Sequence, residues 1–313
     1  MAALNLQDQK EESNQIENKF LVPYHANPLF VGRAAFLQNL KEKLYDVVPK
    51  HYNHRVALYG MGGIGKTQCA LGYVYINRDV YDRIYWITAR DQASLLSGYQ
   101  SIAKAARLQY LQNISPIEIA SEVILWLRDQ QSWLLVIDNL DDIKVANGLL
   151  PENGCRQQHT IITTRNPNTM GIPAEPLEVP LLDADDCIDL LSNLSKIVAH
   201  PNSIERRQAA EIVQVLGYLP LAIEQAGAYI REVTADFSAF LELYQWNHKR
   251  LHMWVPDGNR QYPNSIATTW SMSFRLLQEY PSKLLRLFSF LNPDGILIPF
   301  LLASGKGLTA YNL

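Results

Sequence analysis

The densest chemistry in the chain lies in one run, Gly60-Met61-Gly62-Gly63-Ile64-Gly65-Lys66-Thr67. It matches G-x-x-x-x-G-K-[ST] and stands between an apolar run and a helical pattern, the context that gives the motif meaning. Glycines let the backbone turn tightly and aim successive N–H groups inward. A helix starting near Lys66 adds its unpaired amides and positive dipole end to the same anion site. Lys66 supplies an ammonium group for the outer phosphates and Thr67 a hydroxyl that can ligate magnesium. The chemistry implied is capture of a polyphosphate tail with a divalent ion, as in a purine nucleotide.

Magnesium needs a second hard oxygen, and Leu134-Leu135-Val136-Ile137-Asp138 offers one. An acid after four apolar residues emerges where strand ends form the crevice of an open α/β sheet. Asn139 follows, where hydrolytic members of the wider phosphate-loop class frequently carry an acid that can polarise water, and an amide cannot take that proton at neutral pH. Fast hydrolysis is therefore not expected. Asp141 and Asp142 stand nearby and leave two readings open, a substitute base or a solvated acidic turn. Arg165 ends the run Thr160 to Thr164. If that strand lies between the two carrying the loop and Asp138, Arg165 points at the terminal phosphate; otherwise a surface ion pair is its ordinary fate.

Positioning these groups requires a sheet. Val56 to Tyr59, Ile84 to Thr88, Trp133 to Ile137 and Thr160 to Thr164 are continuous apolar or β-branched runs without in-out alternation. Such runs suit parallel strands covered on both faces. A further short strand is expected at Leu177 to Leu181. Helical patterns alternate with them at Ala34–Leu44, Thr67–Ile76, Ala93–Arg107 and Pro116–Arg128. The fold class is α/β, a three-layer P-loop NTPase with a doubly wound parallel sheet. After Asp183 helices take over, at Ala184–Leu194, Ile204–Leu216, Leu221–Arg231 and Phe237–Leu251. Ser203, Gly217 and Pro220 stand where caps belong. The expected organisation is a disordered lead over 1–20, a nucleotide-binding domain over 21–182, a separate helical domain over 183–254, and a further unit over 255–313 after a Pro/Gly/Asn-rich boundary.

Composition narrows the partners. A formal charge of -3 provides no global basic field for nucleic acid or an anionic membrane, and Lys249-Arg250 and Arg206-Arg207 are too short for such grip. Three widely spaced cysteines, Cys69, Cys155 and Cys187, fit a reducing, cytoplasmic setting better than a disulfide framework. Neither a secretory signal nor a spanning segment is legible. His51 and His54 lack further ligands for a zinc site and read as a solvated loop. The scattered Trp and Tyr residues read as core or rim packing.

Taken in order, these residues resemble the NB-ARC family, within the STAND class of signal-transduction NTPases that includes apoptotic-protease activators and plant disease-resistance proteins. Phe30-Val31-Gly32-Arg33 is similar to the family's entry motif beside the adenine. Gly60 to Thr67 resembles its phosphate loop, Leu134 to Asn139 its magnesium strand, and Thr163-Thr164-Arg165 its phosphate-sensing arginine motif. Gly217-Tyr218-Leu219-Pro220-Leu221-Ala222 resembles the helical-domain motif whose proline packs on the base. Thr268 to Phe274 and Leu291 to Asp294 are similar to the start of a winged helix, which looks incomplete.

The resemblance implies an AAA-like strand order and a switch core in which ADP closes the domains while exchange for ATP opens them for oligomerisation. Val31, Arg33, Gly60, Gly62, Gly63, Ile64 and Gly65 belong to the implied nucleotide site, with Lys66, Thr67, Gln68, Arg165, Pro220 and Leu221. Thr67 and Asp138 are the implied metal ligands, and Asp138, Lys66 and Arg165 the groups for any catalysis. The implied partner is a second copy or another signalling protein. Two other functions stay open: a continuously cycling AAA-type ATPase, and a scaffold with a permanently bound structural nucleotide.

Overall fold

The computed structural model describes residues 18–47, 54–108, 114–152, 154, 157–166, 171–244, 281 and 283. Apart from residues 281 and 283, the start of a winged helix expected over 255–313 lies outside them, as do the histidine at 51, Cys155, the basic pair at 249–250 and most of the expected lead.

One parallel sheet runs through the described residues. Its strands are β1 (Phe20–Leu21), β2 (Arg55–Tyr59), β3 (Arg83–Thr88), β4 (Trp133–Asp138), β5 (Gln158–Thr164) and β6 (Glu175–Glu178), in the order β1-β3-β4-β5-β2-β6. All pairings are parallel, and β5 lies between β4 and β2. The condition that brings Arg165 to the same sheet edge as the loop and Asp138 is therefore met.

Successive side chains of a strand point to opposite faces. Val56, Leu58, Leu134, Val136 and Ile161 pack into one apolar layer, Ala57, Leu135, Ile137 and Ile162 into the other. Helices α1 (Ala34–Leu44) and α2 (Lys66–Ile76) cover the first face, and α3 (Gln92–Ala105) and α4 (Pro116–Arg128) the second. Both faces are apolar because both are covered. Helix α4 starts where the sequence indicates: Ser115 and Glu118 form a reciprocal capping box with Pro116 in the first turn.

Two strands depart from expectation. Strand β1 is two residues long, pairing Phe20 with Ile84 and Leu21 with Tyr85, too short for any hydrophobic period. Strand β6 covers Glu175–Glu178 instead of Leu177 to Leu181, because Val56 to Tyr59 set its register. An edge strand borrows its register from a single neighbour, so its own apolar run misleads; Leu181 is exposed.

The helical segment contains α5 (Ala184–Ser195), α6 (Ile204–Val215), α7 (Pro220–Tyr229), a π-helical turn at Ile230–Thr234 and helix again over 237–244. Ser203 accepts from the Arg206 amide at 3.1 Å, and Gly217 takes a positive φ of 65° beyond the end of α6. Helix α7 was expected to reach Arg231; it ends at Tyr229, where the chain widens into the π turn closed by Ala235 N–H on Ile230 C=O at 2.7 Å. These helices do not form a core of their own. Leu191, Ile212, Ile223 and Phe237 belong to the same continuous apolar cluster as Val56 and Leu58. No helix among the described residues is long and apolar enough to cross a membrane.

One glycine governs how the entry segment meets α5. Gly32 has φ +64°, and a Cβ there would lie 2.1 Å from Asp186 Oδ2. The carboxylate can swing aside, whereas the left-handed backbone with a Cβ costs about 1 kcal/mol. Gly32→Ala is expected to lower the melting temperature by roughly 2–4 °C. Calorimetry on the purified chain checks this, and an unchanged transition would refute the strained-backbone argument.

Candidate functional site

The loop between β2 and α2 winds through Gly60, Gly63 and Gly65, with φ of +149°, +86° and +98°. Such angles favour residues without a Cβ. Gly65 is the N-cap of α2 and no side chain caps the helix, so the first amides keep their donors. Among the described residues, the N–H groups of Gly62, Gly63, Gly65, Lys66 and Thr67 bond to no acceptor. Arg33 stands across from them. Its Nη2 donates to the Ile64 carbonyl at 2.9 Å, while its Nη1 is buried with no hydrogen-bond partner. A buried orphan cation beside a ring of unpaired amides fits an anionic ligand.

Lys66 is 7% exposed, and its Nζ donates to the carbonyls of Gly60 at 2.7 Å and Met61 at 2.9 Å. Burial lowers its pKa to about 8; Asp141 opposes the shift and Arg165 adds to it. The sign matters for stability and for binding. In the folded chain the ammonium is lost as pH rises through about 8, whereas an unfolded lysine keeps it to its ordinary 10.5. The unfolded state therefore binds more protons in that window, and Lys66 penalises the fold most below it. A phosphate tail favours the charged form. Affinity for ADP is expected to fall as pH rises above about 8, with proton uptake on binding at pH 8.5. Calorimetry in buffers of different ionisation heat reads the uptake, and Lys66→Arg is expected to remove it because guanidinium does not titrate there.

Asp138 ends β4 and is 1% exposed. Thr67 Oγ1 and Thr163 Oγ1 donate to its Oδ1 at 2.9 and 2.6 Å, and Asn139 Nδ2 donates to Oδ2 at 3.2 Å. Burial raises its pKa; the bonds from Thr163 and Thr67 and the charge of Lys66 pull it back. The Asn139 amide N–H completes the network by donating to Thr163 Oγ1 at 2.9 Å. Thr163 is thus a carboxylate-holding residue that sequence reasoning placed in a motif without this role; its contact follows from β5 lying beside β4. A hydroxyl and a carboxylate in direct contact are hard oxygen donors of the kind magnesium takes alongside phosphate oxygens and water.

Arg165 lies on the same rim but is turned onto Asp141. Its Nε and Nη2 reach Oδ2 at 2.7 and 2.5 Å, and its backbone N–H donates to Oδ1 at 2.6 Å. The sequence places the residue; the ion pair decides where its guanidinium points. Asp142 caps the short 3-10 helix Ile143–Ala146 through the Lys144 amide at 3.0 Å. One candidate base is therefore in an ion pair and the other in a cap, and Asn139 faces Asp138.

Two cavities adjoin here. The first, about 280 Å³, is lined by Asn27, Leu29, Phe30, Val31, Arg33, Ile64, Leu182, Leu190 and Leu194. The second, about 200 Å³, is lined by Gly62, Gly63, Lys66, Thr67, Arg90, Asn139, Asp141, Arg165 and Leu221. Gly65, Gln68, Pro220 and Glu224 line both. The first carries mostly apolar side chains and the second gathers Lys66, Arg90, Asp141 and Arg165 on its wall, which matches a ligand with a flat apolar end and an anionic tail. Of the expected site residues only Gly60 and Asp138 line neither. Gly60 turns the loop and Asp138 sits beneath Thr67.

Helix α7 touches the loop directly. The Leu221 N–H donates to the Gly63 carbonyl at 3.2 Å, and a Cβ on Gly63 would meet Leu221 Cβ at 3.1 Å. Leu190, Leu194, Glu224 and Arg90 escaped sequence reasoning. On α5 and α7 they read as ordinary helical positions, and after β3 as a loop arginine.

The sequence profile of the NB-ARC domain matches residues 34–200. The chain belongs to the NB-ARC family. The chain is similar to a nucleotide-binding leucine-rich repeat (NLR)-like protein of Hyaloscypha variabilis, 27% identical over 83% of this chain and 29% of that protein. A probable disease resistance protein of Arabidopsis thaliana is 27% identical over 66% of the chain and 25% of its own length. This NB-ARC chain thus spans less than a third of the curated relatives it matches. Among solved structures, a STAND protein with a tetratricopeptide repeat sensor from Pyrococcus horikoshii aligns over 86% of the chain and 37% of its own at 17% identity and a TM-score of 0.41. Cdc6p of Pyrobaculum aerophilum aligns over 72% and 65% at 19% identity and a TM-score of 0.45. At these scores neither bears on function.

Proposed function

We propose that this NB-ARC chain is the core of an intracellular signalling switch that binds ADP or ATP with magnesium and hydrolyses slowly at most. The observation that carries the reading is the wall shared by the two cavities. The same ligand space is bounded by the phosphate loop of the sheet and by Pro220, Leu221 and Glu224 of α7. A ligand shifts an equilibrium only through differential affinity, and one gripped by both parts favours their closed packing.

In this reading Val31, Arg33 and Pro220 hold the base, while the amides of Gly62 to Thr67 and the ammonium of Lys66 hold the phosphates. Thr67 and Asp138 would hold magnesium, whose charge would offset that of the tail. Slow hydrolysis follows from the commitments of the nearby groups: Asn139 bonds to Asp138, and Asp141 to Arg165. Exchange would release α7 from Gly63 and expose surfaces for a second copy or another signalling protein. Defence is the setting that the name of the Arabidopsis thaliana relative suggests, and regulated cell death the one that the family resemblance adds.

The scaffold reading draws on the continuous apolar core joining the helical segment to the sheet. Identifying the nucleotide released when freshly purified protein is denatured, then following its exchange and phosphate release, separates the three functions. Steady release within seconds per cycle would favour a cycling ATPase, and bound nucleotide that neither exchanges nor hydrolyses a scaffold. Folded protein that gives no heat and no melting shift with ADP or ATP, with and without magnesium, would refute nucleotide binding altogether.

A further inference from the structure

Three cations line the charged cavity: Lys66, Arg165 and Arg90. Two are engaged by the protein. Lys66 bonds to the carbonyls of Gly60 and Met61, and Arg165 is clasped by Asp141 through side chain and backbone. Arg90 makes no hydrogen bond or ion pair among the described residues and is exposed.

Its root, by contrast, is fixed. Arg90 follows β3, and the preceding residue, Ala89, donates its N–H to the Asp138 carbonyl at 2.7 Å. Strand β3 pairs with β4 through Thr88 and Asp138. Arg90 therefore rises from the strand beside the buried carboxylate, on the rim shared with Asn139, Asp141 and Arg165. Across the cavity stand Pro220, Leu221 and Glu224 of α7.

Resting on the nucleotide reading of this cavity, we propose that Arg90 reads the terminal phosphate of a nucleoside triphosphate and so sets the preference of the site for triphosphate over diphosphate. The glycine loop and Lys66 satisfy a diphosphate. A third phosphate adds charge at the outer end of the tail, and a guanidinium suits it with forked N–H donors. Moving Arg165 to that role would strip Asp141 of its partner inside the same cavity, whereas Arg90 breaks no hydrogen bond or ion pair among the described residues and acts on Asp91 and Tyr24 only through its charge. The residue thus acts on the difference between the two ligands, which is what a switch requires.

The test is calorimetric titration of the full chain with magnesium and either ADP or a non-hydrolysable ATP analogue, for wild type, Arg90→Ala and Arg90→Lys. Removing one charge-assisted contact is expected to lower the ratio of triphosphate to diphosphate affinity by about tenfold or more in Arg90→Ala. Arg90→Lys is expected to recover part of that ratio. An unchanged ratio, or equal weakening of both ligands, overturns the proposal while leaving nucleotide binding intact. Wild-type protein that binds neither nucleotide overturns both. Because Arg90 is exposed, matching thermal transitions for the three proteins are expected and confirm that the comparison concerns binding.

Discussion

Lys66→Ala is expected to reduce ADP affinity by roughly a hundredfold or more, the effect of removing a largely desolvated cation from an anionic ligand. The loop amides remain, but they carry partial charges, and Arg33 across from them is partly committed to the Ile64 carbonyl, so Lys66 supplies the full charge within the loop motif itself. The same change is expected to leave the nucleotide-free fold intact. It deletes bonds to Gly60 and Met61 at 2.7 and 2.9 Å, yet also removes an ammonium whose burial lowers its pKa to about 8. These opposing terms keep the change in melting temperature small while binding collapses. Isothermal titration beside a thermal melt separates them, and variant protein that copurified with stoichiometric nucleotide would refute the site assignment.

Asp138→Asn is expected to move stability and function in opposite directions. The carboxylate is 1% exposed and its pKa is raised, with burial the leading cause. An acid with a raised folded pKa favours the fold while protonated, and that contribution is lost as pH rises from the unfolded value through the folded one. Once ionised, the buried carboxylate is therefore a liability in the absence of a cation. Asparagine keeps an oxygen to accept from Thr67 and Thr163, and Asn139 need only flip its amide. The nucleotide-free variant is expected to melt roughly 2–4 °C higher, as is common when a functional buried charge is removed. It is also expected to lose the extra melting shift that magnesium adds to ADP or ATP in the wild type. A variant with a wild-type magnesium response would remove Asp138 from the metal site. Its affinity for ADP without magnesium is expected to change far less than that of Lys66→Ala.

Both expectations concern groups visible in the sequence, but their sizes come from the tertiary setting. The strings around Lys66 and Asp138 name the residues. How far each is desolvated, and which hydroxyls reach the carboxylate, depends on β4, β5 and α2 being brought together. Asp141 illustrates the limit. From the sequence it read equally as a base or a solvated acid; in the fold it is the partner of Arg165 at 2.5 Å.

The linear sequence by itself determined the phosphate loop, the parallel sheet and most helix bounds. Each of these is encoded locally: glycines at fixed spacing, apolar runs of strand length, and caps such as Ser115 and Ser203 within a turn of what they cap. Tertiary structure alone decided the rest. Strand β1 and the register of β6 depend on neighbours distant in the chain. The placement of Thr163 under Asp138, the turn of Arg165 onto Asp141 and the seating of α7 on Gly63 are contacts between elements. No local pattern records them, because a side chain's partner across a sheet or between layers is fixed by packing and register, and these emerge only when the whole chain has folded.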